Sequence, residues 1–296
     1  MEVKGLIKSV DLKSKTFSLL IKGQLKYFYF QNNLLKRFRK YLYSGNVISF
    51  VCEESEEIHG LYFSKMVIYV IEIFVPTTRG KRILYNKELL NESLLNFFES
   101  IDNMMFLDLE MTMPSYNKDE NFVPEIIQAG FFIVNKNGKV LLKENYYVRP
   151  TKVYRINKRT SKFLHIDSKV ISKEAISYYK FYNKFKMALK KYRPAIMIFG
   201  RNDKLVIENS YNINGLPSLA YMSRFVNLSQ LIKNYFELKN DPGLFYLYEK
   251  FSGTGHEQTH DALEDALVTY EVYKYFLEEI KQNNNQNEGE LLRQLE

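Results

Sequence analysis

Met104-Met105-Phe106-Leu107-Asp108-Leu109-Glu110 reads as an apolar strand ending in two acids. Successive side chains of a strand point to opposite faces, so Asp108 and Glu110 project together while Leu109 packs behind them. Two carboxylates so placed repel unless a cation lies between them, and Mg²⁺ or Mn²⁺ favours such oxygen donors. In isolation the triplet says little, because a chain of this length holds about one of its kind by chance. Its meaning depends on what surrounds it.

Downstream, residues 126–135 and 140–148 alternate apolar and polar around Asn137-Gly138, a strong hairpin signal. An acid-ended strand followed by a hairpin predicts a three-stranded antiparallel run. Ala175, Tyr178, Tyr182, Phe185, Leu189 and Tyr192 then recur at helical spacing until Pro194. Residues 195–200 form a short buried strand that runs into Arg201-Asn202-Asp203, where Asp203 opens a helix with N-cap as its default role. Another strand is expected over 224–228, a helix over 229–237, and a further helix from Asp241-Pro242.

The last informative stretch is Thr259-His260-Asp261-Ala262-Leu263-Glu264-Asp265-Ala266. Thr259 or His260 opens a helix whose core stripe is Leu263, Leu267, Tyr270, Tyr273 and Leu277, with Asp265 a little over one turn inside. A histidine at a helix entrance beside an acid fixed on the helix body suits a general base next to a metal ligand. Taken singly, a solvated histidine and a first-turn Asp favoured by the helix dipole explain the two residues equally well.

Asp-x-Glu at a strand end, an Asp after a buried strand and His-x4-Asp on a last helix together resemble the DEDDh branch of the DnaQ-like 3′→5′ exonucleases. That group includes the polymerase proofreading epsilon subunit, ribonuclease T and oligoribonuclease. The matches, in family order over about residues 103–280, are Asp108, Glu110, Asp203, His260 and Asp265. Pro124-Glu125-Ile126-Ile127-Gln128-Ala129-Gly130 is similar to the family's second strand, and Tyr147-Val148-Arg149-Pro150 to the exit of its third.

The resemblance implies an RNase H-like mixed-sheet α/β domain over residues 101–280. It implies two Mg²⁺ or Mn²⁺ ions held by Asp108, Glu110, Asp203 and Asp265, with Asp108 bridging both and His260 as the base. The expected reaction is release of nucleoside 5′-monophosphates from single-stranded RNA or DNA. Met111, Thr112 and Leu164 are the implied substrate contacts. Leu164 lies in Thr160-Ser161-Lys162-Phe163-Leu164-His165-Ile166, where many relatives carry a Leu-Thr-Gly-Ile wedge, so the sequence departs from the pattern there. His165 has no acid five residues on, since Val170 stands there. Relatives occur as monomers and as homodimers, which leaves the oligomeric state open. Competing readings are a non-catalytic nucleic-acid-binding protein on a relic nuclease fold and a proofreading accessory of a DNA polymerase.

The rest of the chain has a different character. Residues 1–90 hold 15 of the 42 Lys and Arg but only 8 of the 34 Asp and Glu, which accounts for almost all of the +8 net charge. A basic first third favours polyanionic partners. Strands over 3–11, 16–21 and 25–31, a helix from Asn32 or Asn33 to Gly45, then strands over 47–53 and 61–74 follow the element order of an OB-like barrel. This small all-β domain is placed over residues 1–76, with Phe17, Tyr27 and Tyr29 as ring platforms for bases or, equally, as barrel filling. Residues 77–100 read as a linker and lead-in helix, and 281–296 as a frayed tail. A single Cys52, no apolar run of ~18 residues and no apolar signal core after Met1 make a cytoplasmic protein without a membrane partner the expectation.

Overall fold

A computed structural model describes residues 1–116, 122–152, 156–165, 168–236, 238, 240–255 and 259–282. The chain divides into two compact units, one built mainly on Met1–Asn96, the other on Phe97–Lys233 and Asp241–Glu278. The expected tail beyond Gln282 lies outside the described residues. Among the described residues no helix is long and apolar enough to cross a membrane.

The first unit contains β1 (Glu2–Asp11), β2 (Thr16–Ile21), β3 (Gln24–Tyr29), α1 (Asn32–Phe38), β4 (Val47–Cys52), β5 (Glu57–His59), β6 (Tyr62–Thr77) and β7 (Gly80–Asn86), and α2 (Lys87–Glu99) follows. β1 pairs antiparallel with β2 and β4, β2 with β3, and β4 with β6. A parallel pairing of β3 with β6 closes the ring, giving a small five-stranded barrel with the helix between its third and fourth strands. This is the OB-like arrangement read from the sequence. Phe17, Phe28, Phe30, Phe38 and Phe50 fill its interior, with Phe17 and Phe30 stacked at 5.0 Å. Phe17 is therefore barrel filling and not a ring offered to a ligand.

Two expectations for this unit are corrected. The acidic stretch after β4 leads into an extra short strand, β5, which forms a hairpin with β6. The supposed linker around 77–87 is β7, paired antiparallel along the end of β6. Its lack of apolar alternation disguised it, because β7 is largely exposed and is tied down by a polar contact instead. Lys81 Nζ lies 2.5 Å from the buried Glu72 carboxylate on β6, with Asn86 Nδ2 at 3.2 Å and Lys4 Nζ at 3.8 Å.

The second unit contains β8 (Asn103–Met111), β9 (Ile126–Asn135), β10 (Val140–Arg149), α3 (Lys158–Leu164), α4 (Ser168–Glu174), β11 (Ile176–Ser177), α5 (Tyr178–Tyr192), β12 (Ala195–Ile198), α6 (Asn202–Asn214), β13 (Phe225–Asn227), α7 (Leu228–Tyr235), α8 (Leu244–Ser252) and α9 (Ala262–Gln282). Its mixed six-stranded sheet runs β11-β10-β9-β8-β12-β13. β8, β9 and β10 are antiparallel, while β12 is parallel to both β8 and β13. The central strand is buried on both faces, as a sheet covered by helices requires. Met105, Leu107 and Leu109 join Phe131, Phe181, Phe185 and Ile207 in one core. Phe106, from the alternate set, meets Tyr270 of α9 at 4.9 Å and Tyr273 at 5.5 Å.

Candidate active site

Asp108 and Glu110 extend the alternate set of β8, the face that α9 covers. Opposite Asp108 on the ladder stands Gly130 of β9. A Cβ at Gly130 would sit 2.1 Å from the Leu263 nitrogen and 2.3 Å from the Ala262 carbonyl carbon. Only glycine lets the first turn of α9 rest directly on the sheet, and that contact brings Asp265 to the two strand acids. Asp203 arrives from the other side, at the start of α6. It is not the N-cap, a position held by Arg201. Its Oδ1 instead accepts a 3.1 Å hydrogen bond from the Leu109 backbone N–H, which fixes it against the acid-bearing strand.

Asp108, Glu110, Asp203 and Asp265 are thus brought together from three elements, as the sequence pattern implies. Glu110, His260 and Asp265 each place one donor atom within 4.8 Å of the others. His260 Nδ1 lies 3.8 Å from Glu110 Oε1. Burial raises the carboxyls of Asp108, Glu110 and Asp203, and repulsion from the neighbouring acids raises them further. Asp108 is held well above the usual carboxylate range, first by burial and then by Asp203, Asp265 and Glu110. Glu110 is pushed up to about 8 by burial, Asp265, Asp203 and Asp261. Asp203 reaches about 7, burial outweighing the hydrogen bond from Leu109. Such a set of oxygen donors fits one or more divalent cations, which would remove the repulsion.

His260 sits before the helix rather than on it, in a left-handed conformation with φ 54°. Asp261 is the helix cap: its Oδ1 accepts from the Leu263 and Glu264 N–H groups at 3.0 and 3.1 Å. Gln128 Nε2 donates to Asp261 Oδ2 at 2.7 Å, and Asn145 Nδ2 donates to the same carboxylate at 3.2 Å. Gln128 is the ladder partner of Glu110. Sequence reading passed over it, although one amide inside Ile126-Ile127-Gln128-Ala129 was the available signal. Burial, then the nearby His165, lowers the His260 pKa, which favours the neutral imidazole, the form that accepts a proton.

The three implied substrate contacts fall differently. Met111 is half-buried against the core. Thr112 is buried, with its hydroxyl accepting from the Glu125 N–H at 2.9 Å. Leu164 is 3% exposed, while its neighbour Phe163 is 49% exposed with its ring centroid 4.6 Å from the His260 imidazole. The phase of α3 explains this difference. Asn157 caps it by accepting from the Thr160 N–H at 2.8 Å, and Thr160 Oγ1 accepts from the Met113 N–H at 2.9 Å. With α3 pinned to the exit of β8, residue 164 turns inward and residue 163 faces the acids' histidine.

This architecture is shared with known proteins. The exonuclease family model matches residues 105–273, more than half of the chain. A probable 3′-5′ exonuclease, KapD of Bacillus subtilis (strain 168), is 30% identical over 174 residues, covering 58% of this chain and 83% of that protein. The chain belongs to the exonuclease family. The nuclease domain of 3′hExo, a DEDDh family member solved with rAMP, superposes with a TM-score of 0.53 at 17% identity, covering 61% of this chain and 94% of that one. Cell-death related nuclease 4 gives a TM-score of 0.53 at 18% identity over 60% of this chain and 64% of its own. Both likenesses concern the fold.

Proposed function

We propose that the chain hydrolyses single-stranded nucleic acid from its 3′ end and releases nucleoside 5′-monophosphates, using two Mg²⁺ or Mn²⁺ ions. The supporting observation is the convergence of Glu110, His260 and Asp265 within 4.8 Å, beside Asp108 and Asp203, in a buried site. When bound, paired divalent ions activate a water and stabilise the charge that grows on the departing 3′-oxygen. Asp108, Glu110, Asp203 and Asp265 are the residues to hold them. His260 takes the proton of the attacking water, a role that suits its neutral imidazole. Gln128 and Asn145 hold Asp261, and through it the backbone that carries His260. Phe163 replaces Leu164 as the side chain that offers an apolar face to the terminal base.

The test uses the purified full-length chain and matched single-stranded RNA and DNA labelled at the 5′ end, with Mg²⁺, Mn²⁺ or EDTA. Products should shorten stepwise from the 3′ end only with metal, and Asp108→Asn should lower the rate by ~10³-fold or more, as loss of several kcal/mol of charge stabilisation requires. Unchanged turnover in Asp108→Asn would reject the assignment.

A further inference from the structure

The barrel carries its own arrangement of rings and cations. β5 and β6 form a hairpin in which His59 and Tyr62 are direct ladder partners across Gly60-Leu61. Each lays its ring on a tyrosine of β3. Tyr62 stacks on Tyr27 at 3.8 Å and 5°, and His59 stacks on Tyr29 at 4.2 Å and 9°. Tyr27 and Tyr29 are two residues apart and share a face of the strand. The hairpin therefore presents two face-to-face ring pairs side by side, with His59 and Tyr62 as their outer members. Tyr62 is 43% exposed and His59 is half-buried.

His59 and Tyr29 also line a cavity of about 620 Å³, together with Gln31, Asn32 and the two cations Lys15 and Lys36. One acid of the neighbouring turn lies at this wall, where Glu57 accepts from the Tyr29 hydroxyl at 3.2 Å, and Glu56 lies 3.9 Å from Lys65. Flat π-faces beside lysines and amides match a nucleobase with its phosphate. Two stacks set roughly 6.6 Å apart along β3 suit two successive bases of an extended strand, about twice the 3.4 Å rise per nucleotide of a stacked duplex strand. A free mononucleotide would use one stack only.

We infer that the barrel binds single-stranded nucleic acid, with bases on His59 and Tyr62 and phosphate at Lys15 and Lys36. The reading stands apart from catalysis, so it is tested by binding alone. The full-length chain with Asp108→Asn is titrated into labelled 12-nucleotide oligo(U) and oligo(dT), and anisotropy is followed over a salt series. The double variant His59→Ala with Tyr62→Ala should weaken binding at least fivefold, as loss of base stacking does, and leave the salt dependence in place. His59→Phe with Tyr62→Phe should keep affinity within about twofold. Lys15→Glu with Lys36→Glu should weaken binding and reduce the slope of log K against log salt by about one to two. Parent-like binding of both strands by both loss variants, which would leave this surface to a protein partner, overturns the inference. So does a phenylalanine variant as weak as the alanine one.

Discussion

Glu72 and Glu110 are both buried carboxylates on central β-strands, and their environments shift them in opposite directions. In the barrel, burial pushes Glu72 up, but Lys81, Asn86 and Lys4 outweigh it and the carboxyl ends below its ordinary value. In the mixed sheet, burial acts on Glu110 in the same sense and its neighbours add to it, because they are Asp265, Asp203 and Asp261. One buried acid is neutralised by the chain itself and serves the fold. The other is left for a cation from outside, and a site that stores repulsion in this way is suited to metal chemistry.

The sharpest way to break this contrast is the same isosteric change at both positions. Glu110→Gln should lower exonuclease turnover by ~10³-fold while leaving the metal-free melting temperature at pH 8 unchanged or higher. A drop in that melting temperature would show that the charge at 110 is structural. Gly130→Ala should follow in size. Its methyl group meets the backbone of Leu263 and Ala262, so a loss of ~3 kcal/mol or more in denaturant unfolding is expected.

Titration sharpens the comparison further. Glu110 changes from an ordinary 4.5 to about 8 on folding, so the folded chain holds more protons across that interval. Metal-free stability from this group therefore falls as pH rises from about 4.5 to about 8, and Mg²⁺ or Mn²⁺ should flatten the trend in thermal melts. Glu72 has the opposite sign: its contribution is present above its ordinary value and disappears as pH falls through its lowered one. Gln128→Ala should reduce kcat by roughly 10- to 100-fold through loss of the Asp261 support, as outer partners of metal sites do. KM should change little. The smallest effect is Glu72→Gln, about 1–3 kcal/mol of stability with turnover unaffected, read by urea unfolding and the same nuclease assay.

Much of the catalytic unit was legible because its elements alternate cleanly and its acids sit at element ends. Asp108, Glu110, Asp203, His260 and Asp265, which the resemblance singles out, do converge in the fold. What escaped was fixed by contacts between distant segments. Whether residue 163 or 164 faces the histidine depends on how Asn157 and Thr160 anchor α3 to Met113, which no local pattern encodes. Asp261 rather than His260 caps α9 because Gln128 and Asn145 reach it from β9 and β10. β7 gave no period-2 signal, since an exposed edge strand needs no apolar stripe; the ion pair of Lys81 with Glu72 holds it. In the barrel, periodicity separated the two faces of β3 but did not show which face held Phe28 and which held Tyr27 and Tyr29.

The rung that joins Asp108 to Gly130 has a wider consequence. One position supplies an acid and its cross-strand neighbour supplies the empty space into which the last helix settles. Among chains of this lineage that keep all four acids, a side chain in place of that glycine would mark a silent copy, one whose residues are intact but can no longer gather.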